Sequence, residues 1–303
     1  MEIIHIDKKT AKYPMAVALG YFDGLHMGHQ AVILNAVHYA KQHHIRSAVI
    51  TFSINPKFFL KKLATPYLLT PMSEKIAILK KLGVDQLLIL PFDETIACMK
   101  PEDFIKKYLI EEKVCYVSTG FDFRFGKNGA GNITLLEKYE EVFKLDVTPK
   151  LRLGTTKIGA TQIRDYLLQG DVQEVCQMLG RPYSLSGMVI KGNQKGRSIG
   201  FPTANIELKE QFLVPKKGVY AVKAYVGKGS YRGMCNIGHN PTFNYTDGLS
   251  IEVYLLDFNE DIYGETIRIE FIKYLRSEQK FQSIDDLMKQ LKGDCKAVRE
   301  IIL

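Results

Sequence analysis

The chain's 303 residues, 46% hydrophobic and 24% charged, suit two ordinary domains with packed cores and exclude a disordered polypeptide. Its net charge of +8 is spread along the sequence without an arginine-rich tract or a tryptophan, which admits pockets for phosphorylated small molecules and gives no nucleic-acid signature. Scattered Cys98, Cys115, Cys176, Cys235 and Cys295 exclude a disulfide framework or zinc site, and the termini and short apolar runs carry neither signal peptide nor membrane span, so a cytoplasmic protein off the membrane is expected.

Met15–Leu19 predicts a buried strand, followed by a glycine-rich turn and a helix from about Gly28 to His43. Ser47–Phe52 predicts a second strand. Ser73–Gly83 predicts a helix with Ser73 as N-cap and a terminal glycine. A strand over Leu87–Leu90, a helix over Glu102–Glu112 opened by Pro101, and a strand over Val114–Val117 follow. Strands alternating with helices imply βαβ units and a parallel, Rossmann-like α/β domain. Helices near Ala160–Gln169 and Asp171–Leu179 close it, giving an expected domain 1–181.

Beyond Gly180-Arg181-Pro182 the period becomes alternating. Ser186–Ile190, Val219–Val226, Tyr231–Ile237, Leu249–Phe258 and Thr266–Tyr274 predict strands of an antiparallel β-barrel, and a helix from about Ser283 ends a second domain, 182–303.

Gly20-Tyr21-Phe22-Asp23-Gly24-Leu25-His26-Met27-Gly28-His29 joins the first strand to the first helix. Glycines at 20, 24 and 28 let backbone approach a ligand, and a helix N-terminus offers free N–H groups to phosphate. His26 and His29, three apart, suit nucleotidyl transfer, in which charge builds on the α-phosphate.

These residues, with Gly120-Phe121-Asp122-Phe123-Arg124-Phe125-Gly126 and Ile158-Gly159-Ala160-Thr161-Gln162-Ile163-Arg164, resemble the prokaryotic bifunctional riboflavin kinase/FAD synthetases over nearly the whole chain. The resemblance implies that Gly20, Phe22, Asp23, Gly24 and Gly28 bind ATP phosphates, that His26 and His29 stabilise the adenylyl transition state, that Asp122 lines the nucleotide site, that Phe123 lies near flavin, and that Thr161 and Arg164 grip phosphates. Two departures stand out. Asn55 occupies the histidine position of the family's Thr-Phe-x-Pro-His-Pro, and Gly159-Ala160 replace a Ser-Ser pair.

The second constellation is Gly187-Met188-Val189-Ile190-Lys191-Gly192 followed by Gly196-Arg197-Ser198-Ile199-Gly200-Phe201-Pro202-Thr203-Ala204-Asn205. Gly192, Gly196 and Gly200, with Arg197, form a phosphate-binding loop. Thr203 and Asn205 offer hard oxygens to Mg²⁺. This spacing matches the family's riboflavin kinase signature. Alternation turns Glu252 away from Ile251 and Val253, toward a ligand cavity, and the resemblance makes it the base for the riboflavin 5′-hydroxyl. Asn236 belongs to the matched Asn-Ile-Gly segment and is implied to touch flavin; Tyr254 stands where the family commonly has histidine. Arg276 and Phe281 would either contact flavin or anchor the last helix.

The expected activity is ATP- and Mg²⁺-dependent phosphorylation of riboflavin to FMN, then adenylylation of FMN to FAD. A kinase with a degenerate first domain and a non-catalytic flavin-binding regulator are the alternatives. The glycine-rich loops Lys191–Ser198 and Asn240–Asp247 are expected to move on ligand binding.

Overall fold

A computed structural model describes residues 1–6, 13–60, 66–192, 196, 199–239 and 248–301. Within it the chain divides into two compact units, Met1–Ala160 and Thr161–Leu303. The first contains β1 (Glu2–His5), β2 (Met15–Leu19), α1 (Met27–Gln42), β3 (Arg46–Phe52), α2 (Pro56–Phe59), α3 (Met72–Lys81), β4 (Gln86–Leu90), α4 (Glu94–Ala97), α5 (Pro101–Ile105), β5 (Val114–Gly120), α6 (Ile133–Glu137), β6 (Lys144–Thr148), β7 (Arg152–Leu153) and β8 (Thr156–Lys157).

β2 and the Leu87–Leu90 stretch of β4 are uninterrupted apolar runs because helices cover both faces of their sheet. Ala16 and Ala18 face a core built with Val32, Ile33 and Val37 of α1 and Leu79 of α3. Val17 and Leu19 face the opposite core, with Phe104, Leu109 and Val117. The six strands are parallel in the order β1-β4-β3-β2-β5-β6. Chain order reverses between β2 and β5, the switch point at which doubly wound sheets open a crevice at their carboxyl ends.

The second unit begins with α7 (Ala160–Gln169) and α8 (Val172–Leu179), and continues as β9 (Tyr183–Ile190), β10 (Ala204–Leu208), β11 (Gly218–Val226), β12 (Gly229–His239), β13 (Leu249–Leu255), β14 (Thr266–Arg276) and α9 (Ile284–Glu300). The six strands close an antiparallel barrel, β10-β13-β12-β11-β14-β9. Alternation divides the barrel strands: Cys235, Ile237, Ile251 and Val253 turn inward, while Met234 and Tyr254 turn outward to Leu291, Cys295 and Val298 of α9. The lysine backbone N–H at 216 bonds to Leu167 O at 2.9 Å, tying α7 to the barrel.

The Rossmann-like and barrel architectures are those expected from the sequence. Some boundaries differ. Ser73 lies inside α3, which starts after Pro71 without a side-chain cap, while Gly83 ends the helix at φ 80° as expected. The helix expected over Glu102–Glu112 is α-helical only to Ile105 and continues as a π-helical turn over Lys106–Ile110. The strand expected to reach Phe258 stops at Leu255, and Asp257 turns the chain with φ 57°.

Candidate functional sites

The β2–α1 connection carries the first site. Phe22, Gly24 and Leu25 all take positive φ, 56°, 87° and 44°. For Phe22 and Leu25 such backbone costs about 1–2 kcal/mol each, so surrounding contacts must hold it. Gly20 is required by crowding, since a Cβ there would lie 2.9 Å from the Phe22 ring. The Asp23 carboxylate is buried and accepts the backbone N–H groups of Leu69 and Thr70 at 2.9 and 3.1 Å. It therefore braces the loop.

His26 caps α1, its Nδ1 accepting the His29 backbone N–H at 3.2 Å. That bond assigns the neutral ring's proton to Nε2. The His26 and His29 rings stack at 3.6 Å, and Phe22 meets His29 edge-on at 5.3 Å. Burial, then the neighbouring His26 and Lys75, hold His29 well below the ordinary imidazole range. A neutral His29 and the stacked His26 ring thus sit at the N-terminus of a 16-residue helix whose first turn has no acidic residue. The dipole's positive end remains available to an anion.

Among the described residues, the buried side-chain polar atoms lacking a hydrogen-bond partner are His29 Nδ1, Ser118 Oγ and Thr119 Oγ1. Ser118 and Thr119 approach the carboxyl end of β5, next to β2 in the sheet. Orphaned polar atoms are uncommon in native folds. Ser118 shares the α1 face of the sheet with Tyr116, while Thr119 points to the opposite face with Val117.

Other residues anticipated from sequence are placed as follows. Asp122 is exposed, with Lys157 Nζ at 3.2 Å. Phe123 is half-buried against the core and stacks on Phe125 at 5.6 Å. Asn55 is a helix cap, its Oδ1 accepting the Lys57 N–H at 3.0 Å. Thr161 and Arg164 lie on α7, in the second compact unit. Gly28 sits beneath the His26 ring, 3.2 Å from where its Cβ would be.

The second site is a row across the barrel. Antiparallel register sets Asn205 of β10 opposite Glu252 of β13, and Glu252 opposite Asn236 of β12. Directly opposed residues share a face, so the three side chains stand together on the outer surface, continuous with the part that α9 covers. The Thr203 hydroxyl donates to the Glu252 carboxylate at 3.2 Å. A Cβ at Gly192 would overlap the buried Asn205 amide, and one at Gly196 would overlap the Phe201 carbonyl. Gly200 turns the loop with φ 81°. Tyr254 packs its ring on Phe201 at 5.2 Å, and burial raises its phenol, which stays neutral.

Arg276 grips the buried Asp294 of α9 through Nε at 3.0 Å and Nη2 at 2.7 Å, while its guanidinium lies 5.9 Å over the Phe281 ring. Sequence reasoning left two readings of Arg276, and this geometry is that of the helix anchor. Arg197 and the Asn240–Asp247 loop lie outside the described residues. Sequence reasoning missed Lys75 and Glu278. The Glu278 carboxylate lies against Gly238, 2.5 Å from where a Cβ would stand, close to Asn236. Lys75 is buried behind the His26–His29 loop, within reach of Tyr21 and Thr51.

A family model described as FAD synthetase matches residues 8–162, and one described as riboflavin kinase matches residues 179–302. A bifunctional riboflavin kinase/FMN adenylyltransferase of Listeria monocytogenes is 42% identical over 92% of this chain and 89% of its own. A Bacillus subtilis protein of the same description is 41% identical over 97% of this chain and 96% of its own. The crystal structure of a macrolide-efflux protein from Streptococcus pneumoniae covers 100% of both chains with TM-score 0.92 and 32% identity. That description speaks of transport, yet no helix among the described residues here is long and apolar enough to cross a membrane.

Proposed function

The chain belongs to the bifunctional riboflavin kinase/FMN adenylyltransferases, and from that premise we propose which of its side chains carry each reaction. It phosphorylates riboflavin to FMN and adenylylates FMN to FAD, with ATP as co-substrate in both steps.

In the barrel, Glu252 accepts the proton of the riboflavin 5′-hydroxyl. The hydroxyl oxygen then attacks the γ-phosphorus of ATP, the new P–O bond forms, and the bond to the β-phosphate oxygen breaks to release ADP. Gly192, Gly196 and Gly200 let backbone N–H groups approach the phosphates, Arg197 adds its charge to them, and Asn236 faces the flavin. Thr203 and Asn205 would hold Mg²⁺; their hard oxygens beside a carboxylate fit that ion, which supplies charge neutralisation on the phosphates when bound. The observation that carries this reading is the register of Asn205, Glu252 and Asn236 with Thr203 bonded to the carboxylate.

In the α/β unit, an FMN phosphate oxygen attacks the α-phosphorus of ATP and pyrophosphate leaves. The α1 N-terminus and the His26 and His29 rings donate to the developing charge, and the Gly20–Gly28 loop shapes their approach. Asp23 serves this loop by bracing it. Thr161 and Arg164 as phosphate ligands, Asp122 in the nucleotide site and Phe123 near flavin are carried by their motifs. Arg276 and Phe281 act on the flavin site by fixing its wall. Asn55 replaces a family histidine and here caps α2. Dependence on ATP and the free cysteines fit action in a reducing cytoplasm.

Reciprocal variants test the assignment by chromatographic separation of FMN and FAD. Glu252→Gln should lower FMN formation about 10²–10⁴-fold, the usual worth of a general base, while FAD still forms from supplied FMN. His29→Ala should abolish FAD formation and spare FMN. Equal loss of both products in either variant would refute the division of labour.

A further inference from the structure

Lys75 is 1% exposed, and the reactions described above do not use it. Its Nζ donates to the Tyr21 carbonyl at 2.6 Å and reaches Thr51 Oγ1 at 3.4 Å. The Thr51 hydroxyl donates to the same carbonyl at 3.0 Å. The ammonium also lies 4.2 Å from the centroid of the Tyr21 ring, a cation–π contact. Tyr21 immediately precedes Phe22, the first of the positive-φ residues in the phosphate loop. Two donors therefore fix the peptide plane that commits the chain to its strained path toward His26 and His29.

A buried lysine is costly and needs a reason. Hydrophobic residues would fill its place in α3 more cheaply, as Leu79 does one turn on. Titratable groups face it from each side: Asp23 and Tyr21 from the loop, and His29 from α1. Thr51, from β3, adds a neutral hydroxyl.

We propose that Lys75, as an ammonium ion, is a positioning residue for adenylyl transfer: it holds the Tyr21 carbonyl, and through it the Gly20–His26 loop, in the conformation that presents the stacked histidines and the α1 N-terminus to phosphate. The inference rests on assigning that loop to the adenylyl-transfer site. Burial brings the Lys75 ammonium down to about 8, with Asp23 partly opposing the shift. The charge that does the positioning is therefore lost as pH rises through that value.

The test uses the full-length protein, with FMN-to-FAD and riboflavin-to-FMN rates measured on the same preparation from pH 6.5 to 9.5. Wild-type FAD formation should fall along a limb near pH 8, and Lys75→Met should lower it at least 10-fold at pH 7, mainly in kcat, while flattening that limb and leaving FMN formation unchanged. FAD formation by Lys75→Met within twofold of wild type would overturn the proposal. Were that variant to misfold and lose both activities, the wild-type profile decides: a flat FAD rate across pH 7–9.5 overturns the proposal on its own. His29→Ala separates the two readings. If it retains FAD formation, the loop assignment fails; if it loses FAD formation while Lys75→Met does not, only the role of Lys75 fails.

Discussion

Lys75 also makes a thermodynamic statement. Its folded-state value of about 8 lies below the reference 10.5, so between these values the unfolded chain binds more protons than the folded one. Stability contributed by this site accordingly rises with pH from 8 to 10.5, and the full cost is borne below 8. The gap corresponds to roughly 3 kcal/mol by linkage. A neutral isostere does not carry that cost. Chemical denaturation of Lys75→Met and wild type should show a stability difference that shifts by about 3 kcal/mol in favour of wild type between pH 7.5 and 10.5. A difference constant over that range would mean that the lysine keeps its ordinary value in the fold, as a solvated ammonium does. Gain of stability with loss of FAD formation is the expected signature of a group kept for function at a cost to folding.

At the scale of elements, what could be read in the sequence follows from how locally each feature is encoded. The β2–α1 loop is contiguous, and its glycines, cap and histidine pair are visible as a string. Glu252 needed only the alternation of one strand. Asn205, Glu252 and Asn236 come from three strands, and their alignment emerges only with the barrel register. Edge strands were missed for a different reason. β1 and β6 lie at the two ends of the sheet and are polar, half-solvated segments without a buried apolar run. β10 was hidden because it begins inside the Gly-x-Pro-Thr-Ala-Asn signature, which reads as a loop. Lys75 was invisible because a lysine in an amphipathic helix normally points to water, and only tertiary packing buries it. The same holds for Arg276 and Asp294, which are 18 residues apart in sequence. Their pairing makes a testable element-level claim. Side chains of both are largely buried, 15% and 6% exposed, so Asp294→Ala leaves an uncompensated guanidinium and should destabilise the barrel unit by about 3–5 kcal/mol. Arg276→Met with Asp294→Leu should recover most of that loss in thermal melts. If the double variant is no more stable than Asp294→Ala, the bond does not anchor α9.

At the scale of the whole chain, the compact units and the family matches place their boundaries differently. The riboflavin kinase match starts at residue 179, whereas the second compact unit starts at Thr161. Between these points lies α8, whose Val172, Val175, Met178 and Leu179 are all buried, along with the α7 carbonyl of Leu167 that receives the Lys216 N–H. These helices cover the barrel without contributing to the Asn205–Glu252–Asn236 row. We therefore propose that the kinase function resides in 182–303, as the sequence boundary at Gly180-Arg181-Pro182 implies, while the folding unit that sustains it begins at 161. Two fragments distinguish function from folding. A 161–303 fragment should form FMN and melt well above a 182–303 fragment, because each kcal/mol is worth about 4 °C in a domain of this size and α8 alone removes four apolar side chains from water. Both should make FMN at low temperature, since Glu252, Thr203 and Asn205 are present in each. Equal melting temperatures would show that α7 and α8 do not stabilise the barrel. Loss of FMN formation from a well-folded 161–303 fragment would show that the kinase reaction requires residues of the first unit.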